Sequence, residues 1–413
     1  MTLDYSSHPA DLVEGGEVQG VKKTVTVDDL KKAIPAHCFK PSYSKAFFYL
    51  FRDFLVVGAL GAFAWICIPQ LNYRVARYAA WLLYGYFQGL AFTGLWVQGH
   101  ECGHMGFSPS HRLNDAVGFF LHSALLTPYF AWKSTHRRHH IYANNLAKDH
   151  NYVPPHKEEY TESLMFNRER LEELTEDVPL VTLMRIVMQQ VLGWPWYLIS
   201  NITASPGSLY RKQSTSLLGN SHFLPSSTLF RPEEAHLILA SDIGIGAMLY
   251  VLYLAGLKFG FSAVALMYFQ PYMWVNHWIV AITYLHHTHP KLPKYQPEAW
   301  TFMKGALATV DREFGWVGKH MLHNVIEYHV VHHLFSRIPQ YHAEEATKAI
   351  MPLLGEAYHQ DKQRYFIPAL WESFTNCQWI EADDTADPKE RAYWYKGGPS
   401  PPPESSMGKR SWT

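Results

Sequence analysis

The sequence predicts an all-α integral membrane protein: four transmembrane helices in two hairpins, with a cytosolic helical cap carrying three histidine clusters. Three observations predict it. Long apolar runs come in two pairs. Aromatic residues make up 15% of the chain and suit a membrane interface, where one end of the ring is apolar and the other wet. Mean hydropathy is nonetheless only −0.16, so much of the chain must sit in water. The 24 histidines are the compositional outlier, and they gather in short clusters near the ends of apolar runs. Lys+Arg and Asp+Glu both number 36, which argues against a nucleic-acid partner held by overall charge.

Residues 1–45 read as a polar cytosolic arm with no apolar signal-peptide core. Its one amphipathic stretch, Thr26 to Ile34, starts with a capping-box-like Thr26/Asp29 pair and is halted by Pro35. The body, 46–360, holds spans at about 48–69, 79–98, 236–257 and 261–285, matched to the ~20 apolar residues that a bilayer requires. Two weaker runs, Ala116–Trp132 and Pro179–Ser200, carry His122 and Pro128, or Arg185, Gln189, Gln190 and Pro195. Charges and prolines at mid-span are costly in hydrocarbon, so both runs are expected along the membrane surface. Residues 361–413 are expected to form a cytosolic tail, its end, polar and Pro-rich after Asp383 (Pro399 to Pro403), disordered.

Parity supports this count. With four spans in two hairpins, the arm, 99–235 and 286–413 share one side, and so do all the histidine clusters. Inserting just one of the weak runs would split the clusters across the bilayer.

The clusters are His100-Glu-Cys-Gly-His104, His136-Arg-Arg-His139-His140 and His329-Val-Val-His332-His333. Spacings of i, i+3 and i+4 place imidazoles on one helix face. Together they offer more nitrogen ligands than one tetrahedral zinc can use, which suits two metal ions, and imidazole is a good ligand for iron. His-Glu-x-x-His alone would also fit a zinc protease, but that reading leaves the two triplets unused. The bland alternative, solvated histidines on juxtamembrane helices, is harder to hold for three clusters than for one. The cysteines (Cys38, Cys67, Cys102, Cys377) show no framework spacing, and Cys102 reads as small-residue filler. Breaking an unactivated C–H bond suits such a centre, and a substrate without a polar handle needs a long apolar slot. A lipid chain fits.

The clusters, their order and their placement after the second and fourth spans resemble the membrane fatty acid desaturases, over roughly Thr24 to Leu354. The likeness is strongest to the oleate (delta-12) and omega-3 branch. It is carried by Leu30-Lys-Lys-Ala-Ile-Pro-Ala-His-Cys-Phe39, Trp132-Lys-Ser-Thr-His-Arg-Arg-His-His140, Ile282-Thr-Tyr-Leu-His-His-Thr-His-Pro290, Gly305-Ala-Leu-Ala-Thr-Val-Asp-Arg312 and His329-Val-Val-His-His-Leu-Phe-Ser336. The resemblance implies two iron ions (Fe2+) held by His100, His104, His136, His139, His140, His329, His332 and His333. A ninth ligand is matched to His287, with His289 and Asn276 as the alternatives. His286 stands where the family usually has glutamine. Glu101, Asp149 and Asp311 are candidate carboxylates behind the ligands. His277, His320, His323 and His342 read as structural.

The resemblance further implies desaturation of an unsaturated C18 acyl chain, on phospholipid or CoA, with O2 as co-substrate. Electrons would come from NAD(P)H through a separate cytochrome b5 and its reductase, because no His-Pro-Gly-Gly haem motif is present. Arg137, Arg138, Lys133 and Lys148 could form a basic patch for that acidic donor, or face lipid phosphates. The endoplasmic reticulum membrane is the implied location, with metal site and both termini cytosolic. Where the family usually has Thr-Gly after the second cluster, this chain has Ala143-Asn144-Asn145, where substrate selectivity is expected to be set. An acetylenase, conjugase, omega-3 desaturase or hydroxylase on the same scaffold is the alternative.

Overall fold

A computed structural model describes residues 25–163, 179–201, 203–211, 216–383, 387 and 390–396. Most of the predicted arm (1–24) and the Pro399–Pro403 tail lie outside them. The arm's described part is folded. Helix α1 (Val27–Ala33) opens with the capping box: Asp29 N donates to Thr26 Oγ1 at 3.2 Å and Thr26 N to Asp29 Oδ2 at 3.1 Å. It stops before Pro35, which disfavours helical backbone in the residue preceding it. Leu30 and Ile34 bury themselves against Val330, Leu334 and Ile350, which pins the arm to the histidine-bearing cap.

Two helix pairs form the apolar body. The first is α2 (Tyr43–Cys67) with α3 (Arg74–Gly103). Later come α7 (Ala235–Phe259) and α8, continuous from Phe261 to His287 with one π turn at Ala265–Phe269. Gly260 turns the chain between α7 and α8 at φ 90°, a conformation open chiefly to glycine. Tyr43–Gln70 and Pro232–Phe259 are long and apolar enough to cross a membrane by length and composition. Helices α3 and α8 are more polar because they face each other and the cap: Gln88, Gln98 and Asn276 are buried between helices. Close approach of α3 to α8 depends on Gly89, where an added Cβ would lie 2.3 Å from Trp274 Cβ. Phe51, Leu82, Ile243 and Leu257 face outward, as lipid-facing residues should.

The run Ala116–Trp132 is not one helix. α4 (His111–Ala124) ends at Leu125, and α5 (Tyr129–Tyr142) begins after Pro128. Pro179–Ser200 is a single 22-residue helix, α6, with Pro195 inside it. Downstream lie α9 (Phe302–Leu307), α10 (His329–Leu334), α11 (Gln340–Leu354) and α12 (Phe366–Asn376).

Folding does not stop at residue 360, where the tail was expected to begin. Helix α12 buries Leu370 and Phe374 against Leu285. Strand Ala392–Tyr395 pairs antiparallel with Lys294–Tyr295 on one side and Ile380–Ala382 on the other. Its Tyr-Trp-Tyr run supplies apolar surface that the polar composition around it conceals. A parallel pairing of Asp311–Arg312 with Gln360–Asp361 ties the same region to the segment before α10.

Candidate metal centre

Four helix ends converge under the cap. The last turn of α3 brings His100, with His104 at its C-cap; α5 brings His136, His139 and His140; α10 brings His329, His332 and His333; and the C-terminus of α8 brings His287. Their ring nitrogens form two groups. His100, His104, His136 and His332 each offer a nitrogen within 4.8 Å of the others, and so do His139, His287 and His333. His140 joins the groups, with Nε2 3.1 Å from His136 Nε2 and its ring stacked on His333 at 4.1 Å. His329 Nε2 lies 3.2 Å from His287 Nε2, which adds it to the second group.

These distances test whether metal ions fit. An octahedral cage with metal–nitrogen bonds of about 2.1 Å places neighbouring donors about 3.0 Å apart, and a tetrahedral one about 3.4 Å. The observed pairs are 3.0 Å (His100–His332), 3.1 Å (His136–His140) and 3.2 Å (His139–His287). Both ring nitrogens of His333 are buried without a hydrogen-bond partner, lone pairs that a cation would use. Burial, and after it the neighbouring imidazoles, hold His136, His140, His332 and His333 well below the ordinary imidazole pKa. They are therefore neutral, the form that ligates metal. Two nitrogen-ligated cations fit the residues present.

What stands behind the ligands is uneven. Asp149 Oδ1 accepts from His139 Nδ1 at 2.8 Å, which turns His139 Nε2 inward. Asp311 touches no imidazole among its described bonds. It caps α10 by accepting from Val330 N at 2.8 Å and from the Tyr358 hydroxyl. Glu101 Oε2 accepts from Gln340 N at 3.1 Å, so it braces the start of α11 rather than an imidazole. Its expected role of orienting a histidine passes to Asp149 alone.

Of the candidates for the ninth ligand, His287 reaches the cluster. His289 points away, 3.7 Å from Asp361, and Asn276 is buried within α8 beside Tyr272. His286 lies between two carbonyls, Ile282 O (2.6 Å) and Ile326 O (2.9 Å). His323 bonds Asp53 at 2.7 Å, while His277 and His320 pack on aromatic rings.

Ala143-Asn144-Asn145 does not line the cavity. Asn144, at φ 62°, donates to Gly305 O and Ala308 O (both 2.9 Å), accepts from Lys294 Nζ, and thereby joins α5 to α9. Trp300 Nε1 reaches Ala143 O at 3.0 Å, and Asn145 Oδ1 caps the following turn through Ala147 N and Lys148 N. The basic patch also changes: Lys133 is buried on Asp115 and Arg138 on Leu229 O, which leaves Lys148 exposed and Arg137 partly exposed.

Beside the rings runs an apolar cavity walled by Trp96, Trp132 and Val325, and Gly99 lets the His122 ring support Trp96 from behind. It continues into a wider groove of about 260 Å³ between α6 and α8. Trp194, Tyr197, Ile279, Thr283 and His287 line both. One residue that sequence reasoning missed is Lys294, fully buried on His287 O at 2.9 Å. Its only sequence signal was a lysine in a Pro-flanked segment close behind His287.

Paired histidine cages at the end of an apolar slot define a metal-dependent helical enzyme acting on a long apolar chain. The family model for fatty acid desaturases matches residues 75–365. An oleate hydroxylase from Claviceps purpurea is 40% identical over 86% of this chain and 77% of its own length. A delta(12)-fatty-acid desaturase from Arabidopsis thaliana is 39% identical over 96% of this chain and 97% of its own, and a delta(12)-oleate desaturase from Trichosanthes kirilowii is 38% identical over 92% and 97%. The chain belongs to the fatty acid desaturase family.

Proposed function

We propose that this chain is a delta-12 acyl-lipid desaturase that converts an oleoyl chain to a linoleoyl chain. Two vicinal hydrogens leave the substrate, and O2 takes these together with two external electrons and two protons to give two waters. The carrying observation is the slot: the residues shared by cavity and groove pass an acyl chain directly beside the histidine cages. The delta-12 desaturases from Arabidopsis and Trichosanthes, similar over nearly the whole chain, support the substrate.

His100, His104, His136, His140 and His332 would hold one iron ion, and His139, His287, His329 and His333 the other. When bound, the irons would supply the activation of O2, the oxidant, that breaking an unactivated C–H bond requires. The chain's own residues do the rest. Trp96, Trp132 and Trp194 wall the slot and keep water from it. Ile279 and Val325 present apolar surface to the chain, with Thr283 and Asn151 among the polar groups beside it. Asp149 holds His139 in one tautomer, and Lys294 fixes the carbonyl end of α8 behind His287.

In the membrane, α2, α3, α7 and α8 each cross. At 1.5 Å per residue, the 30 residues of α3 reach about 45 Å, some 15 Å more than the hydrocarbon, which lifts His100 and His104 to the cytosolic face. Both termini lie there, in the endoplasmic reticulum, where cytochrome b5 and its reductase deliver the electrons.

Expression in yeast with fatty acid methyl ester analysis tests this. Linoleate should accumulate from oleate, and tags at the N-terminus and near Ser216 should be open to protease in sealed microsomes. A hydroxylated product would move the chain to the reading favoured by its Claviceps relative. Preference for stearate would sink the delta-12 assignment, and a protected Ser216 tag the four-span topology.

A further inference from the structure

A second group of metal-binding side chains lies away from the histidine cages. It joins His37 and Cys38, in the short helix Ala36–Phe39, to His342 and Glu345 on α11, and one donor atom from each falls within 4.8 Å of the others. His37 Nε2 is 2.8 Å from Glu345 Oε2 and 3.7 Å from Cys38 Sγ, and His342 Nδ1 is 3.9 Å from the same Glu345 oxygen. The two imidazole rings stand edge to face, 5.2 Å apart.

We propose that His37, Cys38, His342 and Glu345 form a zinc site that clips the amino-terminal segment to α11. Three arguments carry it. The donor set is two nitrogens, one sulfur and one carboxylate oxygen, a set suited to a borderline-soft divalent cation and poor for calcium or magnesium. Tetrahedral zinc with bonds of about 2.0–2.3 Å needs these donors about 3.3–3.6 Å apart, and the separations of 2.8, 3.7 and 3.9 Å lie within about 0.5 Å of that range. Charge also balances, since a thiolate and a carboxylate neutralise the dication and both imidazoles bind in their neutral form.

Placement completes the argument. Cys38 is fully buried beneath the group, while the His37 and Glu345 side chains are about half exposed, so a cation can enter from water and meet sulfur at the bottom. Burial first, and then the Glu345 carboxylate, push the Cys38 thiol up to about 11. The free site therefore holds a protonated thiol, and zinc entry forms the Zn–S bond while releasing that proton to solvent. What the clip braces is specific. Helix α11 begins at Gln340, whose N–H is held by Glu101 beside His100, and it follows directly on the third histidine cluster. This site stands whether or not the desaturase reading does.

The test uses the purified full-length protein with its irons in place, titrated with cobalt(II). Wild type should bind one extra cobalt per chain with a thiolate-to-cobalt absorption band in the near ultraviolet, bleached when zinc is added. Cys38→Ser should lose the band, and Glu345→Gln should weaken cobalt binding at least tenfold, with iron content unchanged in both. Absence of the band from wild type, or its survival in Cys38→Ser, overturns the site and leaves a hydrogen-bonded staple. Should Cys38→Ser lose iron as well, Glu345→Gln decides alone, and unchanged cobalt affinity there overturns the proposal.

Discussion

The two histidine cages share α5 and α10 yet are held by different physics. The cage of His100, His104, His136 and His332 is walled by aromatic rings: Trp132 stacks on His136 at 4.4 Å and lies 5.3 Å from His100, whose other flank meets Trp96. The cage of His139, His287 and His333 is set by polar groups, with Asp149 on His139 and Lys294 on the carbonyl of His287. Shape fixes the first and hydrogen bonds fix the second. Removing one polar atom should therefore damage the second cage and spare the first.

The largest effect should come from the ligands themselves. His332→Ala and His139→Ala should each abolish product, because both irons are needed at once. Iron analysis of the purified variants should give about one ion per chain in each case, with the protein still in the membrane. Near-normal turnover in either variant would break the two-iron assignment. Loss of both irons from either would show that the cages are one unit and that the contrast between them is wrong.

An intermediate effect is expected behind the ligands. Asp149→Asn keeps the shape but cannot hold His139 as a carboxylate does, and loss of such a partner costs about 10–100-fold in metal affinity or activity. Iron should fall towards one ion per chain, drawn from the second cage. Glu101→Gln, although next to His100 in sequence, should leave iron content almost unchanged because its carboxylate serves Gln340 N. Equal iron loss in the two variants would erase the distinction.

How far the sequence could see follows the same division. The first cage was legible from three motifs because i, i+3 and i+4 spacing fixes which rings share a helix face before any tertiary contact exists. The second needed His287, a single histidine among three near the end of α8, and only the family likeness picked it out. Helix α3 brings ligands to the first cage alone, so nothing local marks His287 over His286 or His289. Carboxylates were harder still. Glu101, Asp149 and Asp311 all lie near ligands in the chain or the fold, but which one reaches a ring depends on where loops close. The tail was misjudged for the opposite reason: a polar stretch hid Tyr393 and Tyr395, whose strand completes a sheet around the segment behind His287.

The smallest effect sharpens the comparison most, because it concerns Asn144 and Asn145. Sequence reasoning makes this the place where selectivity is set, which a Thr-Gly replacement at 144–145 tests. In the structure Asn144 is a staple: its side chain bonds Gly305 O, Ala308 O and Lys294 Nζ, and its N–H donates to Asp149 Oδ2 at 2.8 Å. Threonine at φ 62° is strained, and it cannot replace the amide's two donations to Gly305 O and Ala308 O. Two buried carbonyls would lose their partners, at about 1–3 kcal/mol each. Threonine at 144 would leave Lys294 without the carboxamide oxygen, and the strain would pass through Lys294 to His287. The double replacement should lower the thermal midpoint and weaken iron retention in the second cage, while the ratio of desaturated to hydroxylated product stays close to wild type. Thr283→Ala, which alters the slot beside His287, should do the reverse, moving the ratio with iron content intact. If the Thr-Gly variant changes the ratio at full stability, the staple reading is wrong and the loop reaches the substrate after all.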